Sequence, residues 1–130
     1  MNVLEIQEWL ETIKHDTATV ELIIKENGYA DIGIYHIHQA VEKYLKILFL
    51  LKTKDFPKVH FLDRLSSILI ETYPQIEQIL KELLFIDKFL PKLRYPVSDK
   101  LEKENLLECW SQFQKIQTVI KKIISENLTN

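Results

Sequence analysis

The stretch HIHQAVEKYLKILFLL, at positions 36–51, sets two histidines, a glutamine, a glutamate and two lysines close together and then turns almost wholly apolar. Such side chains can ligate a metal, move protons or hold an anion. A helix turns by about 100° per residue, which puts His36, Gln39, Lys43 and Lys46 in one row, with His38 and Glu42 beside it. Glu42 and Lys46 stand four apart in the favourable order, an ion pair worth about 0.2–0.5 kcal/mol. His36 and His38 diverge by about 200° and do not chelate together. Chelation along a helix calls for a four-residue step, as in HExxH, and neither His15 nor His60 has a second ligand at such a spacing. No metal and no cofactor is expected.

A second chemical stretch is KLRYP at 92–96. Arg94 is one of two arginines, the other being Arg64, among fifteen lysines. In a proline-bounded loop its guanidinium would bind a phosphate in bidentate fashion, with the Tyr95 ring beside it to stack on a base. Equally, Arg94 would cap a helix end or bridge a carboxylate. From Lys43 to Arg64 six basic residues face two acidic ones, so this segment is locally positive in a chain whose net charge is −2. That net charge supplies no global field to draw the protein onto DNA, RNA or an anionic membrane.

These residues need elements to position them, and the apolar periodicity predicts helices throughout. The first covers about 3–27, with Val3, Ile6, Leu10, Ile13, Val20 and Ile24 inward, Thr17 a weak point in the stripe, and Gly28 as a left-handed cap. The second covers about 31–52, N-capped by Asp31, with Ile37, Ala40, Val41, Tyr44, Leu45, Leu48 and Leu51 inward. A loop at 52–59 leads to a short third helix opening near His60 and ended by Pro74. The fourth runs from Pro74 to about 89 through Ile76, Ile79, Leu80, Leu83 and Ile86. Pro91 to Ser98 is not expected to be regular helix. Asp99 and Glu102 form a capping box for a fifth helix over about 100–127, with Leu106, Trp110, Phe113, Ile116, Ile120 and Ile123 in register. Two glycines and four prolines are too few for tight-turn β architectures. The fold class expected is all-α: one domain over 1–130, an antiparallel up-down four-helix bundle with an additional short helix, five helices in all.

Tyr35, Phe49, Leu50, Leu84, Phe85 and Phe89 fall outside the inward stripes. Either they belong to a wider core covered by the fifth helix, or they form a subunit interface, most simply that of a homodimer. Cys109, the single cysteine, is expected as a buried thiol in a reducing compartment. Glu5, Glu8 and Glu11 stand where a signal peptide would be basic, and the apolar run at 47–51 is far short of the roughly 20 residues that span a bilayer. A cytoplasmic protein without membrane association is expected.

Taken together the residues resemble the HEPN family, small helical-bundle proteins of bacteria and archaea. The resemblance is carried by TyrAlaAsp at 29–31, YHIHQAVEKYLK at 35–46, FPKVHFLDRL at 56–65 and LRYP at 93–96. Order and spacing agree over about 29–99, and the terminal helices match in type. The resemblance implies an up-down bundle that forms a homodimer and often pairs with a minimal nucleotidyltransferase encoded alongside, in many cases as a toxin–antitoxin module. Many HEPN proteins are metal-independent ribonucleases in which an arginine is followed four to six residues later by a histidine. Here neither Arg94, followed by YPVSDKL, nor Arg64, followed by LSSILIE, has that histidine. What the resemblance carries over is narrower: Arg94, Tyr95, Gln39, Glu42, Lys46 and His60 as residues that bind a nucleotide, RNA or the partner protein. One alternative is a ribonuclease toxin that uses Arg94 with His60 or His36 from elsewhere in the fold. Another is a structural adaptor.

Overall fold

The structure is a computed structural model that describes residues 3–52, 55–94 and 100–128, with the side chain of residue 94 left aside. It contains α1 (Val3–Lys25), α2 (Ala30–Lys52), α3 (Leu62–Leu69), a 3-10 segment (Pro74–Ile79) continuing into α4 (Leu80–Asp87), α5 (Leu90–Arg94) and α6 (Lys103–Leu128). Among the described residues there is no strand, so the chain is all-α.

Contacts between distant residues fix the topology. Asn27, at the end of α1, accepts a hydrogen bond from Lys103 at the start of α6, so these two helices run in opposite directions. Leu106 meets Gly33 and Gln117 meets Tyr44, so α6 runs parallel to α2. The chain then doubles back along α2: Phe56 lies beneath Lys46, His60 reaches Glu42, and Leu62 arrives at Asp87 beside His38. From there α3 runs parallel to α2, and its end is tied where the Tyr73 hydroxyl donates to the Leu48 carbonyl, 3.4 Å away. The 3-10 segment, α4 and α5 return. With α1, α2 and α6 they make the expected up-down bundle, and α3 is the additional short helix.

The core is one continuous cluster in which α2 is central, buried through Ile34, Ile37, Val41, Tyr44, Leu45 and Leu48. Ile6, Ile13 and Val20 of α1 fall at seven-residue steps onto it, and Leu106, Phe113, Ile116, Ile120 and Ile123 of α6 close the other side. At Gly33 a Cβ would stand 2.6 Å from Leu106 Cδ1. The absence of a side chain there is what lets α6 come so close to α2.

Several local expectations change. The left-handed residue after α1 is Asn27, with φ 56°, rather than Gly28. The Gly28 N–H instead donates to the Ile23 carbonyl, 2.8 Å away, as in a Schellman ending. Asp31 lies inside the first turn of α2 and does not precede it. The segment after Phe89 is not wholly irregular: Pro91 fits the first turn of α5, where its missing N–H costs nothing. The last helix begins at Lys103, with the Asn105 side chain accepting from the Glu102 N–H at 2.8 Å; Asp99 lies outside the described residues.

The apolar residues outside the inward stripes also sort themselves. Phe49, Leu50 and Phe89 are buried within the single chain, and half-buried Phe85 packs against the core, edge-on to Phe89 with ring centroids 5.7 Å apart. Tyr35 and Leu84 stay exposed.

Cys109 is fully buried, and that burial, with Glu108 nearby, pushes its thiol up to about 12 despite Lys88. Iodoacetamide at pH 8 should therefore leave Cys109 unmodified in the native protein and alkylate it promptly in urea, as read by intact mass. Prompt alkylation without denaturant would contradict the packing of α6.

Candidate functional site

Polar side chains on the central helix are the unusual feature of this core, and each must find a partner because burial strips it of water. One flank of α2 faces α1. Here His36 Nδ1 lies 2.8 Å, and Lys43 Nζ 2.6 Å, from the two carboxylate oxygens of Asp16. Asp16 is buried at the level of the apolar stripe, just where Thr17 weakens the hydrophobic pattern. This contact fully satisfies the carboxylate and reads as an interhelical clamp.

The other flank faces the returning segment and α4. His38 is fully buried, and its Nε2 lies 3.1 Å from Asp87 Oδ1. A carboxylate only accepts, so this nitrogen carries the proton. Asp87 also accepts the backbone N–H groups of Leu62 at 3.0 Å and Asp63 at 3.4 Å. Those are the first amides of α3, whose own preceding residue, Phe61, makes no side-chain cap. Asp87 thus supplies, from the end of α4, the negative charge that a helix N-terminus favours. Burial opposes its ionisation, but the His38 bond, the two amides and the His38 charge outweigh that, and the carboxyl is held below its ordinary range.

Glu42, one turn beyond His38, is the hinge between this buried pair and solvent. Its Oε2 accepts from Lys46 Nζ at 2.9 Å and lies 3.4 Å from His60 Nδ1. Its Oε1 faces His38 Nδ1 across 4.0 Å, and neither atom has a hydrogen-bond partner among the described residues. At 4.0 Å the two atoms are too far apart to share a hydrogen bond, so each is a buried polar atom facing the other across a gap. Lys46 is largely covered here. It lies behind Glu42, 5.0 Å above the Phe56 ring, which Trp9 of α1 meets edge-on.

In front of Glu42 opens a cleft of about 310 Å3 lined by Tyr35, Gln39, Glu42, His60, Leu90 and Leu93. Its volume lies at the lower end of small-ligand sites, roughly 300–1,000 Å3. The His60 side chain is 54% exposed, so the ring nitrogen not engaged with Glu42 is open to a ligand. Three of the sequence candidates, Gln39, Glu42 and His60, therefore share one cleft. Lys46 supports it from within. Arg94 directly follows the lining residue Leu93 in the chain, and Tyr95 lies outside the described residues. Among the described residues no group of three or more histidine, cysteine or carboxylate side chains has the placement to hold a metal ion.

Sequence reasoning missed two residues, Asp87 and Asp16. Each meets its histidine across 49 and 20 residues of chain respectively, and no local spacing signals such a pairing. Because the folded-state pKa of Asp87 is depressed, its contribution is fully present above the ordinary carboxylate range, near pH 4, and is lost as acid carries the pH down through the lowered value. Asp87→Asn should cost about 1–3 kcal/mol at pH 7 in urea unfolding. The gap from the parent should narrow below about pH 4; an unchanged gap at pH 3 would mean that the charge contributes nothing.

No curated protein and no solved structure matches the chain. Among the described residues no helix is long and apolar enough to cross a membrane. The family model of the HEPN domain matches residues 6–123, which takes in most of α1, the whole polar flank of α2, the cleft and most of α6. The chain belongs to the HEPN domain family.

Proposed function

We propose that this HEPN protein acts as a homodimer whose cleft between α2, the His60 segment and α5 binds the phosphate and base of a nucleotide or RNA. The observation that carries the reading is the convergence of Gln39, Glu42 and His60 in one cleft, with Arg94 next in the chain to its wall. Gln39 offers an amide edge to a base and the exposed tyrosine ring of Tyr35 offers a stacking face. Arg94 and Tyr95 extend the same set as anion and ring partners. Ile32 and Tyr35, one turn apart and both exposed on α2, border this region and suit a contact with a second copy. A minimal nucleotidyltransferase is the protein partner proposed, in a cytoplasmic toxin–antitoxin module, with no DNA bound.

A second reading, a metal-independent ribonuclease, is favoured by one contact. Glu42 holds His60 by Nδ1, which leaves Nε2 toward the cleft as a base, the arrangement in which a carboxylate orients an imidazole. His60 would take the proton of a ribose 2′-hydroxyl, whose oxygen attacks the adjacent phosphorus to form a 2′,3′-cyclic phosphate as the 5′-oxygen departs with a proton from water.

Fluorescence anisotropy with labelled single-stranded RNA tests the first reading. Arg94→Ala and Gln39→Ala should each weaken binding about tenfold, and log affinity should fall with log salt by about 0.7 per phosphate engaged. A mass of one chain in solution, together with no RNA or nucleotide binding, would contradict it. Incubation with total RNA and excess chelator separates the second reading: cleavage abolished by His60→Ala supports it, and intact RNA sinks it.

A further inference from the structure

A larger cleft, about 570 Å3, lies between α1 and α6 and shares no lining residue with the His60 cleft. Both helices rest on α2 and touch each other only lightly, so a groove remains between them with Tyr44 of α2 at its base. Tyr44 is buried, and its hydroxyl lies 3.0 Å from the Gln117 side-chain amide of α6. Gln117 donates one N–H to the Tyr44 oxygen, so the Tyr44 O–H, the second Gln117 N–H and the Gln117 carbonyl remain as two donors and an acceptor. Two more amides, Gln7 on the α1 wall and Gln114 on the α6 wall, line the cleft and have no side-chain hydrogen bond among the described residues. Trp110, half-buried and stacked on Phe113 at 5.4 Å, supplies a broad ring surface.

Charge narrows the ligand. Lys14 and Lys121 are matched in the lining by Glu11 and Glu21, so the cleft has no net attraction for a polyanion. What remains is a planar molecule with neighbouring donors and acceptors on its edge and a polarisable face. Its size is set by a cavity in the middle of the range for small-ligand sites. We propose that the α1–α6 cleft binds an uncharged nucleobase or nucleoside, its edge read by the Tyr44–Gln117 pair and Gln114 and its ring laid against Trp110.

Trp9 and Trp110 are the two tryptophans of the chain, so Trp9→Phe makes the cleft residue the sole indole reporter. Titration of that variant with adenosine, guanosine, cytidine and uridine, and with the free bases, to about 1 mM covers affinities down to the weakest specific range. At least one should quench Trp110 saturably, and comparison of bases with nucleosides tells whether the sugar contributes. Tyr44→Phe, which removes one oxygen from a retained ring, should weaken that binding at least tenfold with the circular dichroism unchanged. Gln117→Leu should do likewise, and Thr118→Ala, at an exposed position outside the lining, should not. No saturable quench by any compound would overturn the proposal, as would binding indifferent to both Tyr44→Phe and Gln117→Leu. Tenfold tighter binding of the 5′-monophosphates would overturn the charge argument.

Discussion

The contact on which this structure most depends is the one between His38 and Asp87. A histidine in the middle of the most buried helix and an aspartate at the end of a helix far along the chain leave water together. Alone, either would be costly to bury, and an unpaired buried charge is among the strongest destabilising features a core can hold. Paired, they do more than cancel. Asp87 has acceptor capacity left over, and the first two amides of α3 use it. One carboxylate thereby fixes the angle at which the chain re-enters helix after its return along α2. It also anchors α4 against both α2 and α3.

The cleft follows from that anchoring. His60 lies two residues before the capped start of α3, so the geometry at Leu62 limits where the imidazole can go. It arrives at Glu42, one turn along α2 from His38. Glu42 is held on the far side by Lys46, whose ammonium rests on Phe56, an aromatic residue of the same returning segment. A cation over a ring contributes about 0.5–2 kcal/mol. The apolar ring thus brings the return segment in at one end and the Asp87 carboxylate at the other, and the functional candidates sit between these two fixings. The Asp16 clamp with His36 and Lys43 does for α1 what Asp87 does for α3.

Much of this was legible in the sequence. Seven-residue recurrence of Ile6, Ile13 and Val20 and the dense apolar stripe of α2 fix the helical class, since no other element presents residues at that period. The row of Gln39, Glu42 and the lysines on α2 was visible as a polar arc, and the resemblance to HEPN proteins tied it to His60. What was not legible is that this arc is largely interior. Period alone separates polar from apolar faces; it does not say that His38 and Glu42 are buried against another segment. Residues whose partners come from distant chain, such as Asp87, have no local signature at all. The same limit explains Phe49, Leu50 and Phe89, which fall outside the inward stripes of the sequence and are buried by distant parts of the chain. Caps shifted by one to three residues because the decisive groups are the left-handed backbone of Asn27 and the side-chain oxygen of Asn105, neither of which composition reveals.

A double-mutant cycle across His38 and Asp87 tests the central claim most directly. Stability to urea would be measured for His38→Gln, Asp87→Asn, the pair together and the parent at pH 7. Coupling of at least about 1 kcal/mol is predicted for groups in direct buried contact. Additivity within about 0.3–0.5 kcal/mol would contradict the account, since it would mean that the two side chains do not hold each other.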